Sequence, residues 1–468
     1  MQLRTFMIVS LAAVLAVALF GCGPKESGPS TAPAEETQAP ATVGTSEEGI
    51  VAYVNGEPIS RDQLGEAKES LIDYYQQIYS QFGQDIRAML TGARGRVLDL
   101  NLEVDALERL FFDAIVDQEA GKRGVQPTDE QVATEFQEQY SGFLNDHNLT
   151  EEQLADYLEG QGSSLDRFKE DARKSVADQL TVEAVRSAVA GEIDPTDDQL
   201  EAYFEENRDR YDTEEEVRAS HILVKTEEEA QAILDELADG ADFATLASER
   251  SLDTGSAANG GDLGWFKRGQ MVKPFEDAAF SLKVGETSGI VATDYGYHII
   301  RVTDRKEATY PELADVIDRV RSDITDEITS ERFRAWYEEA YDNSTTSVAD
   351  PLLAAIRTQQ EDPDAGLAAL ERLKEEGSVD EPYLSFIIGF AYEKKMNDAI
   401  SRRKNLEEEG SDNPSAEEQI AALDEEIEQA RERALAAYQE ALSEHEGDAE
   451  IEERIETVKP QIPSEETE

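Results

Sequence analysis

Three segments decide how this chain reads: RASHILV (Arg218–Val224), NGGDLGWFKRGQMVKPFEDAAF (Asn259–Phe280) and TDYGYHIIRV (Thr293–Val302). Most of the remaining sequence is charged and helix-like. Within the block from Arg218 to Lys306, glycines, aromatics and two of the four histidines are concentrated. The hydrophobic period also switches there from helical to extended. Val217–Val224 alternates and is β-rich, while Glu227–Leu237 and Phe243–Arg250 have helical spacing. Lys273–Phe280 is a short helix, and Ile290–Thr293 and Tyr297–Val302 read as strands. This order predicts a small α+β domain on a four-stranded antiparallel sheet.

Upstream, VAYVNGEPIS (Val51–Ser60) is a β-like segment with an Asn55-Gly56 turn. It enters a helix through Ser60 as N-cap, with Gln63 three residues on. The same device recurs at Thr128 with Gln131, Thr150 with Gln153, and Thr196 with Gln199, marking further helix starts. Long amphipathic runs at Val97–Ala120 and Leu165–Val189 make residues 50–215 read as nearly all helix. Downstream, Tyr310–Tyr341 carries a stripe of Leu313, Val316, Ile317, Val320, Ile324 and Ile328 that must be buried. The preceding helical segment is its natural partner. The expectation is a helical domain in two pieces, 50–215 and 308–345, with the α+β block of 216–307 inserted. Tyr74, Tyr75, Tyr79 and Phe82 cluster on one helix, and two readings stand open: an ordinary core stripe or an apolar groove for unfolded polypeptide.

From Asp350 the pattern changes again. Asp364–Lys374, Pro382–Lys395 and Arg431–His445 are helical. The last two resemble the helix pair of a tetratricopeptide repeat, through Ile388, Gly389 and Tyr392 in one and Ala434, Tyr438 and Ala441 in the other. Asn397–Ala430 between them reads as a charged helical insertion, and a generic helical hairpin is the alternative. Residues 350–460 are thus expected to be a TPR-like helical region, followed by a disordered tail at 461–468.

A chain of 468 residues exceeds one core, so the fold class is multidomain, α and α+β. Acidic residues number 103 against 43 basic, and the formal charge of -60 repels nucleic-acid phosphates and anionic lipid headgroups. Nucleic acid is therefore excluded as a partner, and a salt-rich habitat is one source of such a surplus. The apolar run Phe6–Phe20 would span about 22 Å as a helix, short of the roughly 30 Å hydrocarbon core, which favours a signal peptide over residues 1–21. Leu19-Phe20-Gly21-Cys22 resembles a bacterial lipobox, which implies a lipidated Cys22 as the mature N-terminus. Gly23 after it resembles an outer-membrane address in a cell with two membranes; otherwise the outer face of the plasma membrane is implied. Residues 22–49, rich in Pro, Ser, Thr, Ala and Glu, read as a flexible tether. Cys22 is also the single cysteine, so no internal disulfide, thiolate zinc site or cysteine nucleophile is available to the folded region. The histidines have no metal spacing and no phosphate-binding loop follows a strand, so neither metal nor cofactor is expected.

HILV (His221–Val224), GGDLGWF (Gly260–Phe266), GQMVKPFEDAAF (Gly269–Phe280), VGE (Val284–Glu286) and YGYHII (Tyr295–Ile300) resemble, in this order, the parvulin (PpiC-type) family of peptidyl-prolyl cis-trans isomerases. The wider layout resembles lipoprotein foldases and periplasmic chaperones that carry such a domain beside a helical one, and VAYVNGEPISRDQL (Val51–Leu64) is similar to their N-terminal entry. The resemblance implies that Leu263, Met271 and Phe275 form a proline pocket, with Phe266 completing its wall. It further implies that His221 and His298 are the site's paired histidines, that Thr293 is the hydroxyl beside them, and that Asp253 occupies a position held by aspartate or cysteine. Tyr295 stands where a smaller residue is common, making a bulkier rim or adding a hydroxyl.

After HILV, Lys225-Thr226-Glu227-Glu228-Glu229 replaces the Arg-rich loop of phosphate-selective relatives, and three carboxylates would repel a phosphate. The favoured expectation is an exported, lipid-anchored prolyl isomerase and folding chaperone. Its partners would be unfolded exported polypeptides with unphosphorylated Xaa-Pro bonds, the membrane through its lipid, and a protein at the C-terminal helices. The alternatives are a catalytically weak parvulin-fold chaperone and a TPR-based envelope scaffold.

Overall fold

The computed structural model describes residues 49–160, 162–408 and 416–459. The signal peptide, Cys22, the tether up to residue 48 and the tail at 461–468 lie outside the described residues. The strands are β1 (Ile50–Val54), β2 (Glu57–Ser60), β3 (Glu216–Val224), β4 (Asp262–Lys267), β5 (Val291–Thr293), β6 (Gly296–Lys306) and β7 (Thr346–Val348). The chain divides into two compact units, Met1–Gly191 with Arg332–Glu468, and Glu192–Glu331. No helix among the described residues is long and apolar enough to cross a membrane.

In the first unit, β1 lies between β2 and β7, antiparallel to both. The Asn55-Gly56 turn forms, with both residues at positive φ, 53° and 85°. Asn55 also accepts from the Thr345 amide at 2.9 Å, which ties the hairpin to the start of β7. The expected Ser/Thr-x-x-Gln devices close as capping boxes at the starts of the helices Arg61–Ser80 and Asp129–Asp146. At Glu151–Gly160 the same reciprocal pair of bonds joins Thr150 and Gln153. The long helix Gly92–Arg123 buries Leu100, Val104, Leu107, Phe111 and Ile115. Against them pack β1, Leu352 and Ile356 of the helix Pro351–Glu361, Leu367 and Leu370 of Pro363–Glu376, and Ile387 and Ile388 of Leu384–Glu408. The C-terminal helices therefore share one core with the N-terminal helix.

Leu384–Glu408 and Ala416–Glu444 are two long paired helices, and the described residues of the stretch expected as an insertion, 397–408 and 416–430, continue them. Gly389 is what allows them to approach: a Cβ there would lie 2.7 Å from the Tyr438 ring. The Tyr438 hydroxyl donates to Glu393 at 2.6 Å, and Arg454 of the helix Ala449–Val458 meets the other oxygen of Glu393 at 2.7 Å. The aromatic cluster divides into a packed part and an exposed one. Tyr75 and Tyr79 pack on the small core of Ile72, Ile86 and Leu102, whereas Phe82 is 76% exposed.

The second unit is wider than the expected 216–307 segment. Its helix Asp197–Glu206, started by the Thr196–Gln199 capping box, buries Leu200, Tyr203 and Phe204 against Val320 and Ile324 of Leu313–Asp342. Tyr203 donates to Glu327 at 2.9 Å and Tyr211 to Asp323 at 2.8 Å, completing that contact with hydrogen bonds. The four-stranded sheet is antiparallel throughout, in the order β4-β3-β6-β5. Ile222, Val224 and Ile299 face the helices Glu227–Ala238 and Phe243–Arg250. Val217, Ala219, Ile300 and Val302 face the helix Lys273–Ser281 through Phe275, Ala279 and Phe280. Because side chains alternate along a strand, His221 shares the face of Ala219, and His298 that of Ile300.

Candidate active site

His221 on β3 and His298 on β6 come together on the face covered by Phe275. In the register, Leu223 lies opposite His298 and Ile300 opposite His221, so the two imidazoles are diagonal neighbours. Their Nδ1 atoms are 3.1 Å apart, the rings are 5.3 Å between centroids, and the residues are 6% and 4% exposed. Phe275 presents its ring edge-on to both, at 5.6 and 5.3 Å. Phe266 packs against Phe275, and Leu263 and Met271 are half-buried beside them. The turn carrying Met271 is held by buried Glu276, which accepts from the Gly269 amide, and by Gln270, which accepts from Lys267 N at 2.8 Å.

Asp253 arrives on the loop between Arg250 and β4. Gly261 brings that loop against β3: His221 N–H donates to its carbonyl at 2.9 Å, and a Cβ at Gly261 would sit 2.2 Å from the His221 carbonyl oxygen. Its φ of +80° is also one that only glycine adopts without strain. Asp253 Oδ2 lies 2.8 Å from His221 Nε2 and 2.5 Å from Ser256 Oγ, and Oδ1 accepts from Gly255 N at 3.1 Å. These donors, the Ser256 hydroxyl first and His221 next, hold the carboxyl well below the usual range, at about 2. On the far side, Thr293 Oγ lies 2.8 Å from His298 Nε2 and accepts from Tyr295 N at 3.1 Å. Burial, then the neighbouring His221, pushes His298 down to about 4.

With both rings neutral, these bonds can be satisfied in one order only. An ionised Asp253 only accepts, so the proton of His221 is on Nε2 and its Nδ1 is an acceptor. His298 must then donate from Nδ1 and accept at Nε2 from the Thr293 hydroxyl, which is itself fed by the Tyr295 amide. The result is a one-way chain from Tyr295 N–H through Thr293, His298 and His221 to Asp253.

All the residues expected from the sequence to line the site except Tyr295 lie in this chain or in the adjoining apolar cluster. The Tyr295 ring is 71% exposed, and only its backbone joins the chain. Ser256 was not among the expected residues, and Ser251 was not either. The Ser251 hydroxyl accepts from the amides of Leu223 and Asp253, at 3.1 and 3.3 Å. Neither serine carries a sequence signal beyond being a loop serine near Asp253.

Two family descriptions match the chain: a PPIC-type PPIASE domain at residues 203–306 and a SurA-like N-terminal domain at residues 3–182. The foldase protein PrsA of Halalkalibacterium halodurans is 38% identical over 234 residues, covering 48% of this chain and 68% of that protein. The chain belongs to the PrsA foldase family. The PrsA of Caldanaerobacter subterraneus subsp. tengcongensis is 34% identical over 263 residues, 54% of this chain and 72% of the relative. The match to the PrsA of a Geobacillus species is 49% identical but spans 30% of this chain and about half, 49%, of that relative. Among solved structures, the parvulin of Nitrosopumilus maritimus is 49% identical over 20% of this chain and 99% of its own, with a TM-score of 0.19. As a PrsA-family foldase, the chain carries a parvulin-type peptidyl-prolyl isomerase domain, which holds the site described above.

Proposed function

We propose that this foldase is exported, anchored by a lipid on Cys22, and rotates unphosphorylated Xaa-Pro bonds in unfolded exported proteins by a noncovalent mechanism. The observation that carries the reading is the closed chain Thr293–His298–His221–Asp253 set against the apolar Leu263, Met271, Phe266 and Phe275. Rotation of a prolyl amide breaks no bond. It needs conjugation to be lost, against a barrier of about 20 kcal/mol. The planar amide carries charge separation that water solvates, and the twisted form carries less on nitrogen. A pocket that seats the ring among Leu263, Met271 and Phe275 withdraws that solvation from the ground state. The histidine chain, directionally fixed by the ionised Asp253, supplies oriented dipoles beside the rotating carbonyl. No thiol can take part, since Cys22 is the single cysteine.

Indifference to phosphate is supported by Glu227, Glu228 and Glu229, exposed in the first turn after the Thr226 cap, where a phosphate-selective site needs cations. Export to the cell envelope rests on the sequence of residues 1–22, and placement at an outer membrane on Gly23. The close approach of the helices Leu384–Glu408 and Ala416–Glu444 at Gly389 and Tyr438 supports a TPR-like reading of this region, which is the proposed face for a protein partner.

The test is a proline-peptide assay on the full chain, wild type against His298→Ala and Met271→Ala. Each variant is expected to lose on the order of tenfold or more in kcat/KM. Wild-type protein without measurable turnover would refute the isomerase reading, and a strong preference for phosphopeptides would refute the substrate class.

A further inference from the structure

We propose that Ser256 is a positioning residue of the prolyl site: its hydroxyl locks the Asp253 carboxylate and so fixes the direction of the hydrogen-bonded chain through His221 and His298. The inference rests on the isomerase reading given above for its kinetic consequence, and on geometry alone for its structural one.

Ser256 lies on the short helix Thr254–Ala257 and is 4% exposed. Its Oγ is 2.5 Å from Asp253 Oδ2, the same oxygen that His221 Nε2 reaches at 2.8 Å. An ionised carboxylate cannot donate, so both groups must, and two protons converge on one oxygen. The main chain around Asp253 is already stitched to β3. Leu252 N–H donates to Leu223 O at 2.7 Å, and Ser251 Oγ receives both Leu223 N–H and Asp253 N–H. What remains free at Asp253 is rotation of its side chain. The Gly255 amide on Oδ1 and the Ser256 hydroxyl on Oδ2 remove that freedom. The carbonyl of Ser256 also accepts from Asn259 N and Gly261 N, so one residue joins the carboxylate to the turn that presses on His221.

Removal of the hydroxyl reaches the histidines by a specific route. Without the hydroxyl, Asp253 is held only by the Gly255 amide on Oδ1 and by His221 itself, so Oδ2 can turn and the His221 proton is no longer fixed on Nε2. Moved to Nδ1, that proton would face the Nδ1–H of His298 across 3.1 Å. Relief requires His298 to shift its own proton to Nε2, where the Thr293 hydroxyl accepts it beside Tyr295 N–H and turns its own proton toward the Gly296 carbonyl, 3.5 Å away. One serine thus decides which of two directions the chain takes. The Ser256 hydroxyl is also the largest influence holding the Asp253 carboxyl ionised.

The experiment compares Ser256→Ala and Ser256→Thr in the full chain by proline-peptide kinetics and by imidazole ¹⁵N shifts of His221 and His298. In wild type, the proton is expected on Nε2 of His221 and Nδ1 of His298. Ser256→Ala should scramble that pattern and lower kcat/KM about tenfold, whereas Ser256→Thr should keep both. The proposal is overturned if Ser256→Ala retains the wild-type tautomers, whatever its activity. It is overturned equally if a folded Ser256→Thr matches the alanine variant. Absence of turnover in wild type would sink the isomerase reading alone, because the ¹⁵N comparison still decides whether Ser256 orders the chain.

Discussion

Burial of His298 makes the stability of the second unit depend on pH. The perturbation is a fall in pH from 7.5 to 5. His298 titrates at 6.5 when unfolded and is pushed down to about 4 in the folded chain, by burial first and by His221 second. Its folded value lies below its unfolded value, so the stabilisation it confers is present above 6.5, declines as pH falls from 6.5 to 4, and is gone below. At about 1.4 kcal/mol per pH unit the whole window is worth roughly 3 kcal/mol, of which about 2 kcal/mol is lost by pH 5. With only 4% of His298 exposed, solvent screening takes little from that figure. Asp253 acts in the same direction but lower, between 3.8 and about 2, so the two effects separate on the pH axis.

The chain has two tryptophans, Trp265 on β4 in the second unit and Trp336 in the first. In a Trp336→Phe background, urea unfolding followed by fluorescence therefore reports on the unit that holds the site. Carboxylates elsewhere also titrate on the way to pH 5, so the quantity to read is the difference between this protein and its His298→Asn variant. That difference should shrink by about 2 kcal/mol between pH 7.5 and 5. A difference that stays constant, or a His298 NMR titration with its midpoint at 6 or above, would refute the burial argument.

Gly261→Ala should destabilise the second unit by about 3 kcal/mol, since its Cβ would meet the His221 carbonyl at 2.2 Å in a left-handed conformation; the same Trp265 unfolding curve reads it. Arg454→Ala should cost the first unit about 3 kcal/mol by leaving Glu393, 5% exposed, with Tyr438 as its remaining partner. Thermal unfolding at pH 7 measures this loss, and adding Glu393→Gln should recover most of it; a single variant as stable as wild type would show that the arginine is dispensable.

What was legible in the sequence divides by the range of the interactions involved. The pairing of His221 with His298 and the apolar cluster around Phe275 were legible only through the resemblance of their motifs to the parvulin family, whereas strand alternation is local, so the four-stranded sheet could be read from residue order. The capping boxes were legible for the same reason, since each is complete within four residues. The partner of a helical stripe is not local. Leu100, Leu107 and Phe111 announce a buried face, but nothing near them says that Leu352, Ile356 and Ile388 will cover it. Likewise, Leu313–Ile328 was expected to pack on a preceding helix and does so, yet only the structure shows that Leu200, Tyr203 and Phe204 make this contact within the same compact unit as the sheet. Ser256 escaped for a third reason. A single serine has no pattern, and its importance lies in a 2.5 Å approach to an oxygen that another residue also needs.

The same shared oxygen limits what the site can do chemically. Both oxygens of Asp253 are committed to three donors, and its carboxyl titrates at about 2, so at neutral pH it is a poor base and a hindered nucleophile. The lone pair of His298 at Nε2 is taken by Thr293, and with its titration near 4 the ring does not serve as an acid at pH 7. A chain whose protons are all spoken for has none to transfer. It can offer fixed dipoles in a water-poor setting, and rotation about a prolyl amide, where no bond is made or broken, asks for little more. The catalytic demand and the closed hydrogen bonding of the site therefore fit each other. A variant that opens the chain, such as Thr293→Val, which leaves the His298 Nε2 lone pair without its donor, should weaken the site rather than convert it to acid–base chemistry.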